Sequence, residues 1–221
     1  MTTAREEIIG RVRAALADVP DDDVTPVDWA YGRPSSTGDL GLVDRFAERV
    51  ADYKAVVERV DPAHLSDHVY ALLESVDGPI IADAVVRDLL SGGEVTGVEV
   101  TGDVTWLSDD DLSPTELDAA AAVITTAAVG IANTGTIVLD HVAGQGRRAV
   151  SLVPDVHLCV VRTDQIVSDV PEAVTRLIEQ GSATRPQTWI SGPSATSDIE
   201  LDRVEGVHGP RTLHVIIVDV Q

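Results

Sequence analysis

Short apolar runs rich in β-branched residues, closed by glycine or proline, recur along the last two thirds of this chain and alternate with runs of helical length. Pro79-Ile80-Ile81-Ala82, Gly97-Val98-Glu99-Val100, Val104-Thr105-Trp106-Leu107, Ala149–Val153, Val156–Val161 and Leu213–Val218 read as strands. Ala84–Ser91 and Val170–Gln180 between them read as helices. Strands this apolar must be covered on both sides, which predicts an α/β fold: a mixed, mostly parallel sheet with helices on both faces. One antiparallel arm is expected as well, because Val129–Ala132 and Thr136–Leu139 flank Asn133-Thr134-Gly135 at hairpin spacing.

Ser113-Pro114-Thr115-Glu116 combines a cap, a proline at the first helical position and a reciprocal glutamate, predicting a helix that continues through the alanine-rich run to Ala127. Thr3 and Glu6 form a second capping box ahead of Ile8, Ile9, Val12 and Leu16, a single apolar stripe on an opening helix. From Val19 to Gly41 the chain is rich in Asp, Pro, Gly and Ser and reads as a linker. The predicted organisation is an arm over residues 1–41, able to reach a partner copy in a homo-oligomer, and an α/β domain over residues 42–221. Helical runs at Leu40–Lys54 and Pro62–Val76, with a short strand around Val56, Val57 and Val60, open that domain.

With 221 residues and 44% apolar content, the chain can bury one sizeable core. A formal charge of −21 opposes contact with nucleic acid or an anionic membrane surface. No segment has the length of a membrane span, and none reads as a secretory leader, so the expected compartment is the cytoplasm. The single cysteine, Cys159, lies in a strand-like run; it excludes an internal disulfide and a cysteine-ligated iron–sulfur cluster held by this chain alone. His64 and His68 share a helix face at metal-binding spacing but have no third ligand at a fitting distance in sequence, so no metal site is assigned.

The polar chemistry gathers at three turns. Asn133, Thr134, Gly135 and Thr136 offer amide, hydroxyl and backbone donors in the hairpin. Ser191-Gly192-Pro193-Ser194, continuing to Thr196 and Asp198, is a strand-to-turn junction rich in hydroxyls and backbone N–H groups, a composition that holds small anions. His208-Gly209-Pro210-Arg211 sets an imidazole and a guanidinium beside a turn, which suits general acid–base work and bidentate grip on a carboxylate. His208 is the candidate catalytic residue; Asn133, Thr134, Gly135, Thr136, Ser191, Gly192, Pro193, Ser194, Thr196, Asp198, Gly209 and Arg211 are the candidate binding residues. His157 and His214, inside strands, read as packed residues.

Ile131–Leu139, Pro154–Leu158, Ile190–Ser194 through Asp198-Ile199-Glu200, and Gly206–Pro210, in that order, resemble the LUD-domain family over roughly the C-terminal two thirds. One departure is Ala195, where the family commonly carries Arg or Lys; it leaves an anion at that turn to backbone and hydroxyl groups. The resemblance implies an architecture similar to the ribose-phosphate isomerase, glucosamine-phosphate deaminase and coenzyme A transferase group. It also implies a cluster-free component of a lactate-utilization system that oxidises L-lactate to pyruvate, with iron–sulfur clusters in partner subunits and a small carboxylate or nucleotide-like ligand at the Gly-Pro turns. The alternatives are an independent enzyme acting on a phosphosugar or a thioester, and a non-catalytic adaptor. Because open sheets bind ligands beyond the carboxyl ends of their strands, the Thr134, Ser194 and His208 loops are expected to meet there.

Overall fold

In a computed structural model, residues 3–19, 33–91, 104–192 and 209–220 are described. The chain divides into two units, Met1–Tyr31 and Gly32–Gln221. In the first, helix α1 (Ala4–Ala15) starts at the expected capping box, with Thr3 N–H donating to Glu6 Oε2 at 2.7 Å and Glu6 N–H to Thr3 Oγ1 at 3.3 Å. None of its residues is buried; Ile8, Val12 and Leu16 face solvent.

The second unit is built on six parallel strands in the order β1-β10-β7-β4-β2-β3: β1 (Val56–Val60), β2 (Ile80–Ile81), β3 (Trp106–Leu107), β4 (Ala122–Thr126), β7 (Val156–Arg162) and β10 (Thr212–Val218). Period-two alternation divides their side chains between two cores. Leu158, Val160, Ile216 and Val218 face helices α3 (Leu65–Leu73) and α4 (Ala84–Ser91). Cys159, Val161, Leu213, Val215 and Ile217 face helix α2 (Leu42–Asp52) and a second sheet. That sheet has the order β8-β5-β6-β9, with β5 (Val129–Ile131), β6 (Thr136–Leu139), β8 (Ile166–Val167) and β9 (Thr188–Ile190). Its outer face is covered by helix α6 (Val170–Glu179) through Ala173 and Leu177. The α/β class with a mostly parallel sheet therefore holds, and the expected hairpin is the antiparallel β5–β6 pair.

Two local expectations are corrected. The helix begun at Ser113 is α5 (Pro114–Asp118) and stops after five residues; Ala122–Thr126 is instead the central strand β4. Val123, Ile124, Thr125 and Thr126 are β-branched, and four of the five strand residues are buried between β2 and β7, where packing outweighs alanine's helix propensity. Ala149–Val153 is not a strand: Arg148–Ser151 forms a 3₁₀ turn that inserts Val150 against Ile81, Leu117 and Val123. The expected strand at Gly97–Val100 lies outside the described residues.

The later part of the linker is irregular but fastened. Ser35 N–H donates to Ser168 Oγ at 2.7 Å, and the Arg45 guanidinium donates twice to the Thr37 carbonyl, at 3.0 and 2.8 Å. Among the described residues no helix is long and apolar enough to cross a membrane.

Candidate functional site

The turn Gly209-Pro210-Arg211 leads directly into β10, so Arg211 stands at the amino end of the parallel sheet. There its Nε lies 3.2 Å from Asp155 Oδ1, in a pair more than half exposed on both sides. A cavity of about 600 Å³ opens at this end, and Asp77, Asp118, Asp155, Arg211, Thr212 and His214 are among its walls. Three carboxylates and one guanidinium line this cavity, and the guanidinium is paired with Asp155, so an anion binding Arg211 competes with that carboxylate. The His214 imidazole is held below its ordinary value, first by desolvation; the Glu58 carboxylate opposes that, and His68, which pairs with Glu58 at 3.0 Å, adds to it.

The hairpin tip and the start of the other Gly-Pro turn do come together. Thr136 Oγ1 lies 2.8 Å from both Thr134 Oγ1 and Ser191 Oγ, a three-hydroxyl chain joining β6 to the end of β9. Asn133 is engaged by its surroundings: Nδ2 donates to the Ser36 carbonyl at 3.1 Å and the backbone N–H to the Ser168 carbonyl at 3.0 Å. Gly135, at φ +65°, lies against α2, where an added Cβ would fall 2.7 Å from the Arg49 carbonyl carbon. Gly192, at φ +110°, would meet Tyr53 Cβ at 3.0 Å. Both glycines thus pack on the end of α2 that leads into β1.

This placement corrects the expected gathering beyond the carboxyl ends of the strands. Arg211 precedes its strand, and the hairpin tip lies against the residues that precede β1. Pro193, Ser194, Thr196, Asp198 and His208 lie outside the described residues.

The carboxyl ends of β4, β7 and β10 open onto a different cleft of about 750 Å³, with Thr126, Val160, Arg162 and Val218 among its walls. One side is the loop from Asp140 to Gln145, none of whose residues is among the candidates named from the sequence. Gln145 Oε1 accepts the backbone N–H groups of Asp140 and His141 at 2.6 and 3.1 Å. His141 takes a positive φ of 57°, and its ring bridges the Gly146 carbonyl and Thr188 Oγ1, each at 2.9 Å. A carbonyl only accepts, so Nδ1 carries a proton and donates to Gly146. Asp140 is 4% exposed; its Oδ2 accepts from Ser182, while Oδ1 has no hydrogen-bond partner among the described residues. The legible signal was Asp140-His141 followed by Gly144-Gln145-Gly146, a polar pair beside two glycines.

A second buried polar group lies inside the sheet. Thr125 Oγ1 contacts His157 Nε2 at 2.8 Å and donates to Cys159 Sγ at 3.6 Å. Burial pulls His157 from 6.5 to about 4 and pushes the Cys159 thiol up to about 12, which keeps the imidazole uncharged and the thiol protonated at neutral pH. Among the described residues no group of three or more His, Cys, Asp or Glu is placed to hold a metal ion.

Comparison with known proteins adds relatedness to this geometry. The chain is 41% identical over 215 residues to a Deinococcus radiodurans protein named lactate utilization protein C, covering 97% of this chain and 95% of that one. A Bacillus pumilus protein of the same name is 38% identical over 94 residues, 40% of this chain and 39% of the relative. The crystal structure of a DUF162-family protein from Deinococcus radiodurans superposes with a TM-score of 0.66 at 40% identity, covering 84% of this chain and 99% of that one. Residues 82–218, from the end of β2 to the end of β10, match the LUD domain, and the chain belongs to the LUD-domain family.

Proposed function

We propose that this protein works in lactate utilization, as the cluster-free component of a system that oxidises L-lactate to pyruvate with iron–sulfur partner subunits. The observation that carries the reading is the 41% identity, along nearly the whole of both chains, to a protein named for lactate utilization. A single cysteine, buried and held as a thiol, suits a component that leaves electron transfer to partners. Oxidation of lactate releases two electrons and two protons, and the clusters of those partners supply the path for the electrons.

Within this reading, the Gly-Pro turns hold the small carboxylate. Arg211 is the anchoring cation, and its exposed pair with Asp155 is weak enough for a substrate carboxylate to replace. The Thr134–Thr136–Ser191 hydroxyls, apart from the Arg211 cavity, are a second polar contact for a small ligand. His208 is the acid–base candidate.

The test is reconstitution. Tagged protein purified from lactate-grown cells is expected to carry cysteine-rich iron–sulfur proteins, and the assembly to reduce an added electron acceptor with L-lactate only while this chain is present. Undiminished lactate oxidation without it, or turnover of a phosphosugar or thioester by the isolated chain, overturns the proposal.

A further inference from the structure

We infer that the carboxyl-end cleft is a second binding site, separate from the Gly-Pro turns, and that it takes a mononucleotide-sized organic phosphate. Its size sets the first bound. At about 750 Å³ it falls within the range of small-molecule and cofactor pockets. It is many times the roughly 30 Å³ that one water molecule occupies in the liquid.

Its walls set the second. Val85 and Leu89 on α4, with Val160 and Val218 at the strand ends, give one side an apolar surface that accepts a planar ring. Arg185 supplies a guanidinium that makes no ion pair among the described residues, and Arg162, which donates to both Asp164 oxygens at 2.9 and 3.2 Å, supplies a second. In a chain with 16 basic residues against 37 acidic ones, a cleft where two arginines balance Asp88 and Asp140 is basic for this surface, and Arg185, unpaired among the described residues, suits a phosphate.

The third bound is Asp140. Its carboxylate lines the cleft and is almost wholly buried, its main chain is fixed by Gln145, and one oxygen is held by the Ser182 hydroxyl. The other oxygen is without a donor among the described residues and is itself closed to solvent. An unsatisfied buried acceptor is costly, and a ligand hydroxyl or N–H relieves that cost once the cleft wall yields to admit it, as acidic residues in dinucleotide sites accept from a ribose hydroxyl. Ring, hydroxyl and phosphate in one molecule satisfy all three parts of the cleft.

Isothermal titration of AMP, ribose 5-phosphate and inorganic phosphate into the full chain tests this. AMP is expected to bind with a Kd below about 1 mM, and inorganic phosphate at least about tenfold more weakly. Asp140→Asn and Arg185→Glu are each expected to weaken AMP about tenfold or more, while Arg211→Ala leaves it within about twofold. Arg185 is exposed, so its variant reports on the site even if the buried Asp140→Asn chain fails to fold. Absence of heat with AMP up to about 5 mM, unchanged AMP affinity in Arg185→Glu, or loss of AMP binding in Arg211→Ala overturns the inference. None of these outcomes depends on lactate oxidation.

Discussion

Thr125 Oγ1 on β4 and His157 Nε2 on β7 lie 2.8 Å apart inside the sheet, and the other ring nitrogen of His157 has no partner among the described residues. Folding therefore removes this imidazole from water with one hydrogen bond, and desolvation lowers its titration from 6.5 to about 4. Between those values the unfolded chain binds the proton and the folded chain does not, so this contribution is complete above pH 6.5 and is lost as pH falls toward 4. The shift corresponds to about 3 kcal/mol. Urea midpoints across this range are expected to fall less steeply in His157→Leu than in the parent; parallel curves would assign the acid sensitivity to other groups.

Cys159 is expected to resist a thiol reagent in the native protein and to react fully once denaturant is added. Its thiol is fully buried and pushed up to about 12, so almost no thiolate exists at neutral pH. Timed labelling with and without denaturant, read by mass spectrometry, checks this; rapid native labelling would place the residue at an accessible surface.

Two glycines with similar φ distinguish backbone strain from crowding. Gly181→Ala, at φ +73° with nothing within 4 Å, carries only the left-handed penalty of about 1 kcal/mol. Gly135→Ala, at φ +65°, adds a collision with the Arg49 main chain and is expected to cost roughly 2–4 kcal/mol, as the hairpin tip is forced off α2. Thermal unfolding of the two variants ranks them, and equal losses would mean that the tip has room to shift.

Asp155→Asn is expected to change stability by less than about 1 kcal/mol, because its pair with Arg211 is more than half exposed. The same change frees Arg211, so titrated L-lactate or pyruvate is expected to bind more tightly to this variant and more weakly to Arg211→Ala. Reversal of that order would remove Arg211 from the carboxylate site.

Ser113→Ala is expected to lose about 1 kcal/mol in denaturant titration, since Ser113 and Glu116 satisfy one another's backbone donors at the start of α5. A neutral result would show that packing of Leu117 alone holds that turn.

Features that depend on a few adjacent residues were legible from the chain alone: the capping boxes at Thr3 and Ser113, the strands at β7 and β10, the 129–139 hairpin and the helix at Ala84–Ser91. The unbroken apolar character of the strands also implied that they are covered on both faces, and motif order led to the family. Tertiary packing decided the rest. Ala122–Thr126 is a strand because β2 and β7 bury it, and no local preference records which neighbours a segment will have. Strand direction is likewise silent in sequence, and it put Arg211 at the amino ends and Asp140, Gln145 and Ser182 beside the cleft at the carboxyl ends. A residue's type is written in the chain; the end of the sheet it serves is fixed only when long-range hydrogen bonds and side-chain burial set the strands side by side.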